Sequence, residues 1–312
     1  MGRLTVAVVA GAALLVALAL AAAGVGEEAG ALSNWQALTL GFVQGATELL
    51  PISSSGHLIL VPWLAGWTYL EQHDAYNQTF DVALHLGTLV AVVAYFWADA
   101  LRLLAAWLRS IRRRRIETPD ERVAWFVFVA TIPAALAGAL GEDLIAEHLG
   151  EPWQIAIFLA LFAGILWWAD RRPQRREMSD LGLVAAAGMG FAQSLALMPG
   201  VSRSGITITA GRLLGLDRDS AARFSFLLLI PTVLGAVVYK GLKDVVFGNL
   251  PPGWEGPFAV GTIAAAGSGL LAVSALLGYV RRHDYSLFVV YRLLAAAAVL
   301  LLIATGVRAA TF

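Results

Sequence analysis

Apolar residues run through most of this chain in long segments that short polar or basic stretches separate from one another. The uninterrupted segments cover residues 4–23, 79–108, 123–140, 152–169, 220–240, 258–280 and 287–307. An α-helix needs roughly 20 apolar residues to cross a bilayer, and these segments approach or exceed that length. They lack the alternation of apolar and polar positions that a membrane β-barrel requires. The pattern therefore predicts an all-α, polytopic membrane protein.

Two further apolar segments, residues 35–66 and 181–216, are interrupted near the middle by polar residues. The first is broken at Pro51 and the serines that follow it, and the second is broken at Pro199 and Gly200. Proline ends or kinks a helix, and hydrocarbon makes an unpaired polar group costly. We therefore expect the polar residues of each break to have partners or to bind a substrate.

The basic residues predict how these segments are oriented. Arginines cluster in residues 109–115 and 171–176, and a third short basic loop contains Arg281 and Arg282. Short arginine-rich loops stay in the cytoplasm, so all three loops are predicted to be cytoplasmic. The second interrupted segment must then start and finish on the cytoplasmic side, whereas the first starts and finishes outside. Each is predicted to enter the membrane and return as a re-entrant broken-helix hairpin.

The two interrupted segments also match each other in sequence. Phe42, Gln44, Ser53, Ser55 and Gly56 align without gaps with Phe191, Gln193, Ser202, Ser204 and Gly205, each displaced by 149 positions (193 − 44 = 149). A weaker match aligns Phe80, Leu84, Thr88 and Tyr95 with Phe224, Leu228, Thr232 and Tyr239. Opposite orientations with matching breaks indicate inverted-topology repeats, at about residues 35–140 and 181–280, whose breaks meet near the bilayer midplane. We expect the two breaks to face each other.

Composition supports a membrane protein and limits its function. The 312 residues are 59% hydrophobic and 14% charged, and their mean hydropathy is +0.72, whereas soluble domains are roughly 45–50% apolar and about 25% charged. The 22 basic and 22 acidic residues cancel, so a nucleic-acid partner has no electrostatic support. The absence of cysteine excludes disulfides and thiolate catalysis.

The N-terminal apolar run, residues 4–23, is either a membrane anchor or a cleaved signal peptide. Its length favours an anchor, although the alanines at 21–23 resemble a cleavage site. We therefore separate residues 1–34, an N-terminal helix and linker, from a single membrane domain at 35–312.

The first break carries the chemistry of an anion site. Gln44 and Glu48 are four residues apart, so they share one face of the helix that Pro51 ends. The serines at 53–55 occupy the turn and the start of the next half-helix, where hydroxyls and free amides bind anions. His57 lies within reach of the same face.

The second break adds Arg203, a permanent positive charge, between Ser202 and Ser204. Arginine binds phosphate oxygens in a bidentate manner, and a hydroxyl beside an imidazole and a carboxylate can act as a nucleophile or proton donor. A serine taken alone is more often a helix cap. His85, isolated in an apolar run, is predicted to be structural rather than catalytic.

These motifs resemble those of the undecaprenyl-diphosphate phosphatase family of bacterial and archaeal membranes, which is also known for bacitracin resistance. The matching stretches are residues 44–57, 80–95, 199–205, 215–218, 224–228 and 291–292. The resemblance implies hydrolysis of a polyprenyl diphosphate to the monophosphate, which renews the lipid carrier for cell-wall glycan precursors. It also implies an active site that opens toward the outer face of the cell membrane, with Glu48, Ser54, His57 and Arg203 as its catalytic residues.

The resemblance further implies a divalent cation, Mg²⁺ or Ca²⁺. Some members carry glutamate at the position of Gln44, so Glu48 is the single acid of the motif here and the expected metal ligand. Ser54 is the candidate nucleophile with His57 as its base, and a water activated by His57 or Glu48 is a nearly equal alternative. The residues expected to bind substrate are Gln44, Ser53, Ser55, Ser202 and Ser204.

Other functions stay open at this point. Inverted repeats with broken helices are common in transporters, so a transporter or flippase of an anionic polyprenyl lipid is the main alternative. Type 2 phosphatidic acid phosphatases carry a nucleophilic histidine after a Ser-Arg element, but no histidine occurs between Arg203 and Arg212. The expected partners are the polyprenyl diphosphate and membrane lipids, and a homodimer stays open.

Overall fold

The computed structural model describes residues 32–67, 73–174, 176–248 and 250–311, and these residues form helices without a named strand. The helices are α1 (Asn34–Leu49), α2 (Ser54–Ala65), α3 (Asp74–Tyr95), α4 (Trp97–Arg113), α5 (Pro119–His148), α6 (Pro152–Asp170), α7 (Leu183–Ser194), α8 (Arg203–Leu213), α9 (Arg218–Lys240), α10 (Glu255–Val280) and α11 (Ser286–Ala304). Short 3₁₀ turns occur at Met178–Asp180 and Leu195–Leu197, and a π-helical turn at Gly241–Val246 extends α9. The predicted anchor or signal at residues 4–23 lies outside the described residues.

Six helical segments in the described ranges are long and apolar enough to cross a bilayer. They are Tyr76–Tyr95, Pro119–Gly141, Pro152–Asp170, Arg218–Val246, Glu255–Val280 and Ser286–Ala304. The prediction of an all-α, multi-pass membrane protein is therefore confirmed.

The predicted single span over residues 79–108 is wrong, because two helices occupy it. Helix α3 ends at Tyr95, and α4 begins at Trp97. Phe96 leaves the helical conformation, with φ −101° and ψ 22°, and its buried ring packs 6.1 Å from the ring of Phe226. The apolar run continued through this point, so it gave no signal of the bend.

Both interrupted segments are broken where the prolines predicted a break. The first break lies between α1 and α2, and the second lies between the Leu195–Leu197 turn and α8. Ser53 and Ser202, 149 positions apart (202 − 53 = 149), cap the helices that follow, and their backbones have positive φ values of 77° and 76°. Such values are uncommon for residues other than glycine. The two breaks therefore share one local structure.

Helices α1 and α3 pack on α10 at nearly backbone-to-backbone distance. A Cβ atom at Gly41 or Gly45 of α1 would overlap Gly261 or Ser268 of α10, and one at Gly87 of α3 would overlap α10 as well. Small residues allow membrane helices to approach this closely. The packing places the last turn of α1 beside the middle of α3.

A fully buried arginine on α11, Arg292, holds the two breaks together. Its guanidinium donates hydrogen bonds to the carbonyl oxygens of Leu159 (3.1 Å), Phe158 (3.4 Å), Pro51 (3.4 Å), Gly200 (3.0 Å) and Val201 (3.1 Å). The carbonyl oxygens of Pro51, Gly200 and Val201, which lie in the breaks where the chain is not helical, are thereby satisfied. One side chain thus joins α6, α11 and both breaks.

A polar cluster around Asp170 joins the ends of α6, α8 and α9. The Asp170 carboxylate accepts hydrogen bonds from Arg212 Nε (3.0 Å) and Arg218 Nε (2.8 Å), and from the backbone amide of Tyr285 (3.0 Å). Burial raises the pKa of Tyr285, which lies between two spans, above its ordinary value. Its hydroxyl therefore stays protonated and donates to the Arg218 carbonyl oxygen at 3.2 Å.

Candidate active site

An ion pair between Glu48 and Arg203 joins the two breaks. Glu48 lies in the last turn of α1 and Arg203 is the first residue of α8. Arg203 Nε donates to Glu48 Oε1 at 2.8 Å, and the two side chains are only 10% and 3% exposed, respectively. The expectation that the breaks face each other is therefore confirmed at these residues.

Ser54, at the start of α2, donates its hydroxyl hydrogen to Glu48 Oε2. His57 lies one turn later, and its Nδ1 is 2.6 Å from the Ser53 carbonyl oxygen. Its Nε2 is 2.7 Å from the Tyr291 hydroxyl on α11, and the two rings are stacked. The group bonded to Ser54 is therefore Glu48 rather than the expected His57, because the imidazole is turned toward Tyr291.

Three of the serines expected to bind substrate are buried and hold the fold together. Ser53 Oγ accepts from the amides of Gly56 (3.3 Å) and Gly200 (3.1 Å), so it caps α2 and contacts the opposite break. Ser202 Oγ accepts from the Gly205 amide at 3.0 Å. Ser204 Oγ donates to the Leu50 carbonyl oxygen at 2.9 Å. Substrate contact by these three residues stays a prediction.

Ser55 differs from these three serines because its side chain is only partly buried. Its Oγ is 3.5 Å from Ser53 Oγ, and the residue follows Ser54 in the first turn of α2. It is therefore the serine of this group that is best placed for a ligand.

Two buried polar atoms beside Glu48 have no hydrogen-bond partner among the described residues. They are Arg203 Nη2 and Gln44 Oε1. The other atoms of the same groups are used, since Arg203 Nη1 donates to the Ser225 carbonyl oxygen at 2.9 Å and Gln44 Nε2 lies 3.5 Å from Glu48 Oε2. Buried unpaired polar atoms are uncommon. The site thus holds one donor and one acceptor that a ligand can use.

Sequence reasoning assigned no functional role to two residues that contact this site. His85 was predicted to be structural, but its Nε2 lies 3.5 Å from Glu48 Oε2. Tyr291 contacts His57 across 234 positions of sequence. The pairing of Tyr291 with Arg292 in a family motif was the only signal for this tyrosine.

The residues around Glu48 offer only a few oxygen ligands to a divalent cation. No group of three or more His, Asp and Glu side chains within the described ranges is arranged to hold a metal ion. Glu48 and the unpaired Gln44 Oε1 are oxygen donors of the kind that Mg²⁺ and Ca²⁺ prefer. Mg²⁺ often takes only one or two carboxylates and completes its shell with phosphate oxygens and water. These residues fit a cation that is bound jointly with a phosphate ligand.

The fold and the site together define a class: a multi-pass helical membrane protein with a buried acid, hydroxyl and arginine where two broken helices meet. Such groups suit the binding of a phosphate. Residues 37–298 match the family described as bacitracin resistance protein BacA, and the chain belongs to this family.

Three relatives illustrate the similarity, and each bears the name undecaprenyl-diphosphatase. The protein of Moorella thermoacetica is 46% identical over 263 residues, which cover 84% of this chain and 95% of the relative. That of Thermomicrobium roseum is 45% identical over 286 residues, covering 89% and 100%. That of Pelotomaculum thermopropionicum is 43% identical over 274 residues, covering 88% and 98%.

Proposed function

We propose that this chain hydrolyses undecaprenyl diphosphate to undecaprenyl monophosphate and inorganic phosphate. The observation that carries the proposal is the junction of the two breaks, where Arg203 keeps one unpaired guanidinium nitrogen beside Glu48 and Ser54. An arginine with a free N–H, next to a hydroxyl that is bonded to a carboxylate, suits transfer of a phosphoryl group. The membrane-embedded fold suits a substrate with a long prenyl chain.

Arg203 binds the diphosphate in this proposal. Its free Nη2 donates to a phosphoryl oxygen, and the amino ends of α2 and α8 add partial positive charge to the same place. Glu48 shares Arg203 with the incoming phosphate. Because the phosphate weakens the ion pair between Arg203 and Glu48, Glu48 can accept a proton more readily.

Ser54 is the proposed nucleophile and Glu48 its base. The Ser54 hydroxyl gives its proton to Glu48 Oε2 while its oxygen bonds to the terminal phosphorus. The bond from that phosphorus to the bridging oxygen breaks, and the lipid monophosphate leaves with the electron pair. Water then attacks the phosphoserine, phosphate departs, and Ser54 recovers its hydrogen from Glu48. His57 Nε2 accepts the proton of that water in place of its hydrogen bond from Tyr291, while Nδ1 stays on the Ser53 carbonyl oxygen, and the departing phosphate carries the proton away.

Direct attack by water is the competing route and uses the same residues. A bound Mg²⁺ or Ca²⁺ would neutralise charge on the diphosphate, with Glu48 and Gln44 as its protein ligands. Gln44 and Ser55 are the proposed further contacts of the substrate. The two routes give the same products and differ in one intermediate, because only the first places a phosphoryl group on Ser54.

The proposed orientation places the site toward the outer face of the cell membrane. Its support is the arginine clusters at residues 109–115 and 171–176, which favour a cytoplasmic location for the loops that contain them. The re-entrant paths of the two hairpins and the inverted repeat belong to the same proposal. They are supported by the matching serine caps 149 positions apart (202 − 53 = 149).

The test is phosphate release from undecaprenyl diphosphate by the purified full chain in detergent, with and without a chelator. We expect turnover by the wild type, nearly complete loss in Glu48→Gln and Ser54→Ala, and retention of most activity in the control Ser274→Ala, whose exposed hydroxyl donates only to the Leu270 carbonyl oxygen on α10. Labelled phosphate on Ser54 in acid-quenched samples would support the covalent route. Translocation of the lipid in liposomes without phosphate release would instead support a transporter and refute the proposal.

A further inference from the structure

A cavity of about 320 Å³ lies where α6 ends and where α9 and α11 begin. Four of the side chains that line it can donate hydrogen bonds to an anion: Arg171, Arg172, Arg218 and Ser286. The cavity is separate from the candidate active site. Arg212, which pairs with Asp170 at this end of the protein, lies nine residues after Arg203 on α8 (212 − 203 = 9), a rise of roughly 13 Å.

Arg218 is held in place by the buried carboxylate of Asp170. Its Nε and Nη2 donate to the two oxygens of Asp170 at 2.8 and 3.2 Å, and its Nη1 makes no hydrogen bond to the part of the chain that the structure describes. Arg212 donates to the same carboxylate at 3.0 Å. Two guanidinium groups thus share one carboxylate, so one positive charge is left uncompensated beside the cavity. A fixed guanidinium with a free N–H is suited to a phosphate oxygen.

The other two arginines of the cavity are stacked on tryptophans at the end of α6. The guanidinium carbon of Arg171 lies 3.5 Å from the ring centroid of Trp167, and that of Arg172 lies 4.3 Å from the ring centroid of Trp168. Stacking orients a guanidinium and leaves its edge free for hydrogen bonds. Both indoles are exposed at the end of a membrane span, and tryptophans in such positions mark the level of the lipid headgroups.

Helix α11 connects the cavity with the lipid-facing surface. Ser286 lines the cavity, and Val290 and Leu294 follow it at four-residue intervals on the same side of the helix. Both apolar side chains are exposed, so in a bilayer they contact acyl chains. The amino end of α11 has no side-chain cap, and its amides add partial positive charge to the cavity. A lipid with its headgroup in the cavity can therefore place an acyl chain along α11.

We propose that this cavity binds the phosphate of an anionic membrane phospholipid, with Arg171, Arg172 and Arg218 as its cationic contacts. Basic pockets between membrane helices bind such headgroups. A zwitterionic headgroup brings its own cation to the three arginines and binds less tightly. The inference goes beyond the proposed function and does not depend on hydrolysis. The orientation proposed above places this site in the cytoplasmic leaflet.

The test counts the lipids bound to the delipidated full chain in a neutral detergent by native mass spectrometry, with phosphatidylglycerol or phosphatidylcholine added. We expect the wild type to bind phosphatidylglycerol more tightly. Arg171→Gln with Arg172→Gln should weaken that binding by about 30-fold, from about 1 kcal/mol for each arginine. The matched control, Arg109→Gln with Arg112→Gln, removes the same charge from exposed side chains near the end of α4 and should bind like the wild type. An equal loss in both double variants would show only general charge attraction and overturn the proposal.

A second variant fills the cavity with negative charge instead of removing arginines. Ser286→Asp leaves the hydrogen bonds around Asp170 in place, and an acid in the first turn of a helix is favourable. We expect this variant to unfold at the wild-type temperature without lipid and to lose the preference for phosphatidylglycerol. Wild-type binding of phosphatidylglycerol by Ser286→Asp would overturn the proposal.

Inorganic phosphate separates a lipid site from a site for a soluble anion. It offers similar oxygens without acyl chains, so we expect millimolar phosphate neither to displace phosphatidylglycerol nor to raise the unfolding temperature as that lipid does. Stabilisation by phosphate that disappears in Arg171→Gln with Arg172→Gln would assign the cavity to a free anion and overturn the lipid proposal. Equal binding of phosphatidylcholine and phosphatidylglycerol by the wild type would overturn it as well.

Discussion

Replacing Arg203 perturbs the proposed site at its most charged contact. Its Nε lies 2.8 Å from Glu48 Oε1, and both side chains are nearly buried. Two unit charges at that separation attract by about 6 kcal/mol at an effective dielectric constant of about 20. Removing one partner of a buried pair leaves the other charge uncompensated, which costs roughly 3–5 kcal/mol of folding free energy. Arg203→Ala is therefore expected to lose stability and activity together.

Arg203→Lys separates the two effects. Lysine keeps the positive charge but has a single nitrogen, whereas the guanidinium places Nε on Glu48, Nη1 on the Ser225 carbonyl oxygen and leaves Nη2 free. If Nη2 binds the phosphoryl group, its loss costs about 3–4 kcal/mol in the transition state, or roughly 10²–10³ in kcat/KM. We expect a smaller loss of stability in Arg203→Lys than in Arg203→Ala.

The assay pairs phosphate release in detergent with thermal unfolding of the same samples. Arg102→Lys is the matched control, because that arginine is exposed and its Nη2 pairs with Asp99 Oδ1 at 2.6 Å. The double variant Glu48→Gln with Arg203→Met removes both charges and should recover stability relative to Arg203→Ala without recovering activity. A wild-type kcat/KM in Arg203→Lys would refute the assignment of Nη2 to phosphate.

Three further predictions concern the residues that support the site. Tyr291→Phe removes the hydroxyl bonded to His57 Nε2 and should lower kcat by about fivefold and the free energy of unfolding by about 1 kcal/mol; an unaffected kcat would contradict the contact. Arg292→Met leaves buried carbonyl oxygens of both breaks unpaired and should destabilise the protein by at least about 3 kcal/mol in thermal unfolding. Wild-type stability would contradict the role of Arg292 in joining the two breaks. Gly45→Ala places a methyl group onto Ser268 and should lower the free energy of unfolding by about 1–3 kcal/mol. In the control Gly164→Ala the new methyl group meets no neighbouring atom, so stability should not fall. Equal stabilities of the two variants would contradict the close packing of α1 on α10.

The sequence was sufficient to predict the breaks and that they face each other. Proline cannot continue a helix hydrogen-bond pattern, so Pro51 and Pro199 marked breaks that occur in the structure. A buried acid and a buried arginine each need a partner in hydrocarbon. Glu48 lies in the first interrupted segment and Arg203 lies in the second. Both inferences rest on strong local physics, which is why they could be made without coordinates.

The contacts that sequence reasoning missed depend on how the helices are rotated against one another. His85 lies in an apolar run, and its approach to Glu48 depends on the close packing of α1 and α3 on α10. The contact of His57 with Tyr291 also depends on which face α11 presents. The bend at Phe96 similarly follows from the burial of its ring near Phe226 rather than from any local breaker residue. No spacing rule within one segment determines such orientations.

The arrangement of the two breaks explains why neither half of the chain can supply the proposed chemistry alone. The serine caps at Ser53 and Ser202 have the same backbone conformation, so each break directs its following residue into the junction in the same way. That residue is Ser54 in one half and Arg203 in the other. Two arginines would repel each other there, and two serines would leave Glu48 without a counter-charge. Because the two similar breaks differ in sequence, one buried site contains a nucleophile, a base and an arginine that binds phosphate.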